Sequence, residues 1–578
     1  MNRTKPNYEF KWLNEPSVQF LSGSYIEEGE DPTDRLWEIA LAAEAYYYDN
    51  GSSLDVIEGY AEKLYYMFSL NAFSLSSPVW ANFGRKKGLP ISCNGVYVGD
   101  SIAQMMTKYA EVGMQTKYGA GTSGYFGDIR PRGSKIWTGG TADGAPHYLR
   151  MFETLMDVAS QGAVRRGSFA AYYPVDGEDF DEFMDFREVG NFVQNMSIGL
   201  TLSDEWMSQL EHNLEHKVRG SEHVRRWAAV LRKRKETGYP YLFFQDNVNN
   251  NKPSVLKDKN IWIYASNLCT EICLPASDRW SFVCCLASMN IASFDDWKDT
   301  NAVEILAILL DSVMQEYLEK TDYIEHMKGS HSFVLAWRAI GIGQLGWHSY
   351  LQRKGVAFES KKANNLARAI TKKISDESLV ASKRMAISHG EPMEMIGTGE
   401  RWLTRTAIAP TTSSSFIHGQ VSPACEPLKS NYFTKNLAKG AFTWRNPELQ
   451  AVFDEKAKQP SFYDIDWSAV WDSILKKGGS VQHLDEILSK QEMDVFKTFD
   501  EINPTAVVDQ ACVRQPFIDQ AASTNVLISP DALTKETSSL LIRGWKQGLK
   551  SFYYQRSANP AQALLRKEAE ADCVACEA

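Results

Sequence analysis

The stretch NLCTEI, residues 267–272, sets an amide, a thiol and a carboxylate at alternating positions. In an extended segment, side chains at i, i+2 and i+4 project to one side, so Asn267, Cys269 and Glu271 can share one patch. Such a patch offers a nucleophilic or one-electron sulfur, a general base and a hydrogen-bonding amide. The same six residues also suit a buried Cys269 that only packs as a small apolar side chain.

Short apolar runs and helical patterns alternate on both sides of this stretch. The strand-like runs are 195–202, 241–246, 280–288 and 332–340, and the helical patterns are 101–118, 147–160, 203–236, 302–320 and 360–389. The sequence before them predicts a helix over 33–50 and a second one after a cap at Ser53. This alternation predicts an α/β fold around a buried sheet, either open or closed into a barrel. Dense charge over 205–236 predicts a helix that faces solvent.

The composition is that of a globular protein. The 578 residues are 44% hydrophobic and 23% charged, with 62 Lys and Arg against 72 Asp and Glu for a net charge of −10. This excludes a fibrous or disordered chain, and the acidic balance argues against a nucleic-acid partner. The N-terminus has no apolar segment of a signal peptide and no run is long enough to span a membrane, so we expect a cytoplasmic protein. Nine cysteines, an odd number, disfavour a secreted disulfide framework.

Two stretches fit the dinucleotide-binding pattern G-x-G-x-x-G. GAGTSG at 119–124 follows a helical pattern and lacks the strand–loop–helix context that the motif needs. GIGQLG at 341–346 follows an apolar run, and Glu359 comes 18 residues after Gly341, so it is the better Rossmann candidate. A tight turn from a strand into a helix explains it equally simply.

Two further patterns could bind metal. His212, Glu215 and His216 spell H-x-x-E-H, but charge surrounds them and a solvated helix face is favoured over a zinc site. Cys573 and Cys576 form one C-x-x-C with no second pair to complete a zinc site, which favours a redox-active dithiol. We therefore predict no metal site in this chain.

NLCTEI resembles the active-site signature of ribonucleotide reductase large subunits. Other landmarks of that family follow in its order: Ser92-Cys93, then Gly99-Asp100-Ser101, the loop QGAVRRG at 161–167, Cys284 six residues before Asn290, the loop PTTSSS at 410–415, Tyr553-Tyr554, and a two-cysteine tail. Each could arise by chance, but the ordered set resembles class I, in which a separate subunit generates the radical. The resemblance covers about residues 75–578.

The resemblance implies a ten-stranded α/β barrel at 86–556, a helical N-terminal region at 1–85 and a flexible redox-active tail at 557–578. It implies reduction of ribonucleotides, expected to be ribonucleoside diphosphates, to 2′-deoxyribonucleotides for DNA precursor synthesis. It implies no cofactor in this chain, a radical supplied by a small subunit whose metal this sequence does not show, and dNTP or ATP as allosteric effectors. The expected partners are that small subunit, thioredoxin or glutaredoxin, and a second copy of the chain.

By the same resemblance, each catalytic residue has an expected role. Cys269 is the thiyl radical, Glu271 takes the proton of the 3′-hydroxyl, and Asn267 holds the substrate hydroxyls and this carboxylate in register. Cys93 and Cys284 supply two electrons and end as a disulfide, with Cys285 as a rival to Cys284.

The resemblance also assigns roles outside the barrel centre. Tyr553 and Tyr554 are expected to relay an electron and a proton between subunits, and Cys573 and Cys576 to reduce the disulfide again. The other cysteines, Cys273, Cys425 and Cys512, are expected to pack.

Nucleotide contacts are expected at two places. The substrate contacts are Ser77, Ser92, Thr411, Thr412, Ser413 and Ser414, and the effector contacts are Asp100, Ser101, Gly121, Arg130, Gln161 and Arg165. Asp128 and Trp137 stand where some relatives have arginine, and an aspartate repels a triphosphate. Nothing near the N-terminus resembles an ATP-cone, so we expect no inhibition by dATP through one.

Three other interpretations remain open at this point. A cobalamin-dependent reductase would share the NLCTEI chemistry without needing the tyrosine pair. A Rossmann-type oxidoreductase would use 341–346 to bind a dinucleotide. A non-catalytic scaffold would bind nucleotides without turnover.

Overall fold

The structure is a computed structural model and describes residues 3–48, 57–159, 167–437 and 440–557. Ser53, Gln161, Arg165, Cys573 and Cys576 lie outside the described residues, as does the tail from 558 onward. The predicted helix cap, two effector contacts and the tail dithiol therefore stay predictions.

The described residues form 22 α-helices. They are α1 Glu15–Ser24, α2 Pro32–Tyr48, α3 Tyr60–Ser69, α4 Ser77–Asn82, α5 Ile102–Lys117, α6 Ala145–Val158, α7 Phe180–Met184, α8 Asp204–Glu215, α9 Glu222–Thr237, α10 Gln245–Asn250, α11 Ser254–Asp258, α12 Phe294–Trp297, α13 Ala302–Thr321, α14 Lys328–Trp337, α15 Trp347–Arg353, α16 Lys361–His389, α17 Thr412–Ile417, α18 Pro447–Ala457, α19 Trp467–Lys476, α20 Lys490–Val495, α21 Pro504–Arg514 and α22 Thr534–Lys546. The predicted helices near 101–118, 147–160, 302–320 and 360–389 are thus present.

The strands build one large sheet and two small ones. They are β1 Phe73–Leu75, β2 Cys93–Tyr97, β3 Thr122–Tyr125, β4 Phe169–Pro174, β5 Ser197–Leu202, β6 Tyr241–Phe244, β7 Phe282–Asn290, β8 Ile340–Leu345, β9 Tyr432–Leu437, β10 Gly440–Arg445, β11 Val526–Leu527, β12 Ser551–Phe552 and β13 Gln555–Arg556. The large sheet has the order β1-β7-β2-β3-β4-β5-β6-β12, with β8 on the other side of β7. Strands β2 to β6 are parallel, and β7 and β12 run antiparallel to their neighbours in that set.

Two extended segments, 404–408 and 520–524, close this sheet into a barrel. Backbone hydrogen bonds link Ile342 N to Arg405 O at 2.8 Å, Ile408 N to Ala521 O at 3.0 Å, and Tyr553 N to Thr524 O at 2.9 Å. With these segments, ten extended stretches of the described chain surround one interior, while β1 pairs with β7 outside the ring. The predicted α/β barrel is confirmed.

Buried helices pack against the outside of the barrel. Sixteen residues of α13 are buried, including charged Asp311, which explains why its sequence is apolar nearly all round. Asp311 accepts hydrogen bonds from Arg338, Arg401 and Trp402 at 2.8–3.3 Å. These contacts join α13 to the end of α14 and to the segment before 404–408, and so fix that part of the barrel wall.

Three local predictions were wrong. The run 332–340, predicted as a strand, forms most of α14, and the strand β8 begins at Ile340. A short apolar run fits a buried helix as well as a buried strand, and Phe333, Val334 and Trp337 are buried here. The single helix expected over 203–236 is broken into α8 and α9. The helix α9 also does not face solvent on all sides, because Trp227, Val230, Leu231 and Arg234 are buried.

The two glycine-rich motifs do not form dinucleotide loops. Gly341 and Gly343 lie within β8, where a Cβ on Gly343 would come within 2.7 Å of the backbone oxygen of Ala407. Gly346 has φ +76° at the turn into α15, so a strand-to-helix turn requires it. At the other motif, 122–125 is the strand β3. The Rossmann interpretation is not favoured.

A smaller core lies outside the barrel, between β9, α18 and α19. It buries Tyr432, Leu449, Phe453, Trp471 and Ile474.

None of the helices in the described part of the chain is long and apolar enough to cross a membrane.

Candidate active site

NLCTEI forms a tight turn inside the barrel rather than the extended segment considered above. Thr270 has φ +68°, an uncommon left-handed conformation for a β-branched residue and one often found at functional sites. The turn is tied to two strands of the barrel, β4 and β12, since the Tyr172 hydroxyl donates to Asn267 O at 2.7 Å and Ser551 Oγ to Thr270 O at 2.9 Å. The barrel therefore holds a strained loop at its centre.

Glu271 is buried but not isolated at this centre. Asn267 Nδ2 donates to Glu271 Oε1 at 3.0 Å, and Ser523 Oγ donates to Glu271 Oε2 at 3.1 Å. Burial raises the pKa of Glu271 to about 7, although both hydrogen bonds act to lower it. A carboxyl group that titrates near neutral pH can both take up and release a proton during turnover.

The thiol of Cys269 contacts the tyrosine pair. The hydroxyl of Tyr553 lies 3.6 Å from Cys269 Sγ, and both residues are buried. The rings of Tyr553 and Tyr554 have their centroids 4.2 Å apart, and Tyr554 is partly exposed. The two rings thus connect the surface of the described chain to the buried thiol.

Cys93 and Cys284 lie directly opposite each other on the antiparallel strands β2 and β7. Directly opposite residues have Cα atoms about 4.5–5.5 Å apart and side chains on the same face, which is within disulfide range. Burial raises the pKa of both thiols, and the Glu271 carboxylate adds to the effect. The two groups are therefore protonated thiols that can supply hydrogen to a substrate.

Cys285 lies on the opposite face of β7 from Cys284, because successive side chains of a strand alternate. Burial raises its pKa too, but the next contribution comes from Asp311 of the outer helix α13 and not from Glu271. Gln520 Nε2 instead donates to Cys284 Sγ at 3.3 Å within the barrel. The geometry favours Cys284 over its rival as the partner of Cys93.

A cavity extends from the cysteine pair toward α17. Three cysteines, Cys93, Cys284 and Cys285, line it together with several hydroxyl-bearing residues: Ser74, Ser76, Ser92, Ser288, Thr411 and Ser414. Three predicted substrate contacts, Ser92, Thr411 and Ser414, are thus brought to the cysteines. Ser77, Thr412 and Ser413 are close to this wall in sequence but do not line the cavity.

The loop before α17 has the features of an anion site. Thr411 has φ +53°, and its Oγ1 accepts a hydrogen bond from Ala424 N at 2.7 Å. Ser413 Oγ is buried and has no hydrogen-bond partner among the described residues. The first N–H groups of a helix lack intrahelical acceptors, so the start of α17 offers further donors to a phosphate.

Comparison with known proteins places the chain in a family. A family model described as ribonucleotide reductase, barrel domain, matches residues 91–226, 222–402 and 393–555. The chain belongs to the ribonucleotide reductase large-subunit family. It is 30% identical to the ribonucleoside-diphosphate reductase large subunit of Invertebrate iridescent virus 3 over 97% of both chains.

Two further relatives of this family bear on the class. The solved class Id ribonucleotide reductase alpha subunit of Actinobacillus ureae is 43% identical with a TM-score of 0.86, covering 96% of this chain and 100% of that one. The vitamin B12-dependent ribonucleoside-diphosphate reductase of Mycobacterium tuberculosis is 26% identical over 94% of this chain and 78% of its own. The similarity is greater to the class I structure.

The predicted effector residues fall into two groups. Arg130 Nε donates to Asp100 Oδ2 at 2.7 Å, and Ser101 caps α5 by accepting from Gln104 N at 3.2 Å. Gly121 lies apart from them, because it pairs with Cys93 at the other end of β3. A Cβ there would come within 3.0 Å of Leu268, so this glycine lets the NLCTEI loop approach the wall.

Asp128 and Trp137, which stand where some relatives have arginine, differ in their surroundings. Asp128 accepts a hydrogen bond from the Tyr97 hydroxyl at 2.5 Å, and this carboxylate together with burial raises the pKa of Tyr97. Trp137 is 93% exposed.

Several site residues were missed by the sequence reasoning. Ser523 and Gln520 contact Glu271 and Cys284 from a segment about 240 residues further along the chain, with no motif to mark them. Tyr239 and Tyr241 pack against the tyrosine pair. Tyr241 lies in the run 241–246, which was interpreted only as a strand, and Tyr239 comes just before that run.

No group of three His, Cys, Asp or Glu side chains in the described residues is arranged to hold a metal ion. His212 and His216 stack with their ring centroids 4.2 Å apart on exposed α8, and His216 Nδ1 lies 2.9 Å from the backbone oxygen of His212. This is the solvated helix face that was favoured for the H-x-x-E-H pattern.

Proposed function

We propose that this chain is the catalytic subunit of a class I ribonucleotide reductase and reduces ribonucleoside diphosphates to 2′-deoxyribonucleotides. The observation that carries the proposal is the contact between the Tyr553 hydroxyl and Cys269 Sγ. It joins a radical route to a buried thiol in the same interior that holds the paired Cys93 and Cys284.

The reaction replaces the 2′-hydroxyl of ribose with hydrogen. The Cys269 thiyl radical takes the 3′-hydrogen of the substrate, and Glu271 takes the proton of the 3′-hydroxyl, which eases loss of the 2′-hydroxyl as water. Cys93 and Cys284 supply the two electrons and two protons and become a disulfide, and Cys269 then returns the 3′-hydrogen. The balance is one ribonucleotide and two thiols for one deoxyribonucleotide, one water and one disulfide.

The radical enters through the tyrosine pair. Tyr554 gives its hydrogen atom to the oxidant and regains one from Tyr553, and Tyr553 regains one from Cys269, so each step moves one electron and one proton. The oxidant is supplied by a radical-generating small subunit that meets this chain at Tyr554, the partly exposed member of the pair.

The substrate phosphates bind at the start of α17. Ser413 Oγ, which lacks a partner in the described chain, and the hydroxyls of Thr411 and Ser414 support this placement. The loop has no lysine of a P-loop, which suits nucleotide binding without phosphoryl transfer.

Two further parts of the proposal concern regulation and recycling. dNTP or ATP effectors bind near Asp100, Ser101 and Arg130, in a homodimer. Cys573 and Cys576 carry electrons from thioredoxin or glutaredoxin to the disulfide in the barrel.

Turnover of a nucleoside diphosphate with a competent small subunit tests the proposal. We expect product from the wild type and none from Cys269→Ser or Tyr554→Phe. Full activity of Tyr554→Phe would refute the relay while leaving the barrel chemistry intact. Activity with adenosylcobalamin and no partner would favour the cobalamin-dependent class instead.

A further inference from the structure

Tyr239 makes a direct hydroxyl contact with the outer member of the tyrosine pair. Its Oη lies 2.9 Å from Tyr554 Oη, and the two rings meet edge to face with centroids 5.1 Å apart. Tyr239 is only 8% exposed, so little water competes for this hydrogen bond. None of the roles given above to the catalytic residues uses this side chain.

The backbone around this contact is held from inside the protein. The guanidinium of Arg234, which is fully buried, donates to Pro240 O and, at 3.2 Å, to Tyr553 O. One side chain of α9 thus links the segment that carries Tyr239 to the segment that carries Tyr553 and Tyr554. The buried guanidinium therefore fixes the relative position of the two segments that make the hydroxyl contact.

A positive charge covers the other face of Tyr239. The guanidinium carbon of Arg187 lies 4.4 Å from the centre of the Tyr239 ring. A cation over an aromatic ring makes removal of an electron from that ring harder. The electron hole is therefore disfavoured on Tyr239, which can hold the Tyr554 hydroxyl without itself being oxidised.

The surrounding groups support this interpretation. Ser197 Oγ lies 3.3 Å from the hydroxyl of Tyr239 and accepts from that of Tyr241, also at 3.3 Å. Tyr239 is thus fixed at its hydroxyl by Tyr554 and Ser197 and at its ring by Arg187.

We propose that Tyr239 is a positioning residue for Tyr554, whose hydroxyl it holds in the orientation that exchanges a hydrogen atom with Tyr553. The proposal rests on the proposed function. Tyr239 gains and loses neither an electron nor a proton in the step; the hydrogen atom that leaves the Tyr553 hydroxyl goes to the Tyr554 radical. The hydrogen bond from Tyr239 orients the Tyr554 hydroxyl and keeps a water molecule from taking the place of Tyr239.

The test compares Tyr239→Phe with a matched control, Tyr173→Phe. The control removes a buried hydroxyl of β4 that accepts from Asp179 N and lies outside the proposed site. In each background, 2,3-difluorotyrosine replaces Tyr554 and its phenol pKa is measured by absorbance in the isolated chain. Because Tyr239 donates to the phenolate, its loss is expected to raise that pKa by about 1, with no change in the control.

Turnover with the small subunit is measured in parallel on chains that keep Tyr554. We expect Tyr239→Phe to lower kcat at least tenfold with KM for the nucleotide unchanged, and Tyr173→Phe to stay within twofold of wild type. An unchanged pKa at position 554 would overturn the hydrogen bond. A shifted pKa with unchanged kcat would overturn the positioning role.

A second variant tests the proposal if Tyr239→Phe fails to fold. Fluorotyrosine at position 239 keeps the hydroxyl and is expected to retain turnover below its phenol pKa and lose it above, whereas a pH profile identical to wild type would overturn the proposal. Failure of the proposed function gives a different result, since the wild type would then form no deoxynucleotide while the pKa comparison still reports the contact.

Discussion

Glu271→Gln separates the chemical role of this carboxyl group from its cost to stability. Burial raises its pKa from 4.5 to about 7 in the folded protein. Each pKa unit corresponds to about 1.4 kcal/mol, so ionising Glu271 in place costs the folded state about 3 kcal/mol at pH 8. Glutamine has nearly the same shape and can still accept from Asn267, but it carries no charge.

The sign of the pH dependence follows from the raised pKa. The folded state binds the proton more tightly than the unfolded state, so the stability that protonation contributes is complete below pH 4.5 and is lost as pH rises through about 7. Wild type should therefore lose stability relative to Glu271→Gln over this window. The difference between them should grow from near zero at pH 4.5 to about 3 kcal/mol at pH 8.

Urea denaturation of both proteins at several pH values measures this difference. The same variant should lose about 10²- to 10⁴-fold in turnover, because it cannot take the proton of the substrate hydroxyl. Asp464→Asn, at an exposed carboxylate away from the site, is the control and should show no such trend. A stability difference that does not vary between pH 4.5 and 8 would refute the reasoning, as would a variant that retains turnover.

Three other perturbations test separate parts of the account. Cys284→Ser should abolish steady-state turnover, whereas Cys285→Ser should keep turnover within about threefold of wild type. The reason is that Cys284 lies opposite Cys93 across β2 and β7 and the Cys285 side chain points to the other face of β7. Equal losses of turnover in the two variants would contradict this assignment. Asp128→Asn should tighten triphosphate effector binding severalfold in equilibrium dialysis, since a negative charge is removed, and weaker binding would contradict it. Asp311→Asn should lower the free energy of unfolding by about 3–5 kcal/mol, because buried Arg338 loses its counter-charge; a denaturation curve that matches wild type would show that the pair does not stabilise the fold.

The grouping of the NLCTEI side chains could be predicted because it depends on residue types in a distinctive order. Asn267, Cys269 and Glu271 were expected in one patch, and the structure places Asn267 and Glu271 in contact. The geometry differs from the expectation, since the segment is a turn with a left-handed Thr270. Alternation in an extended segment was thus the wrong physical reason for a correct grouping.

The remainder of the site depends on contacts between distant segments. Ser523 reaches Glu271 only because 520–524 closes the barrel beside 404–408, and neither segment has a strand pattern in the sequence. The strand predicted over 332–340 was wrong for a related reason. A short apolar run indicates burial but does not distinguish a strand from a helix. Gly121 was assigned to the effector contacts by the family resemblance, yet strand pairing puts it beside Cys93.

The most direct test of the central claim is a single turnover with no external reductant. A pre-reduced Cys573→Ser, Cys576→Ser variant is mixed with the small subunit, effector and a nucleoside diphosphate, then digested to map disulfides. We expect one deoxynucleotide per chain together with one disulfide between Cys93 and Cys284. Product without that disulfide, or a disulfide to Cys285, would contradict it.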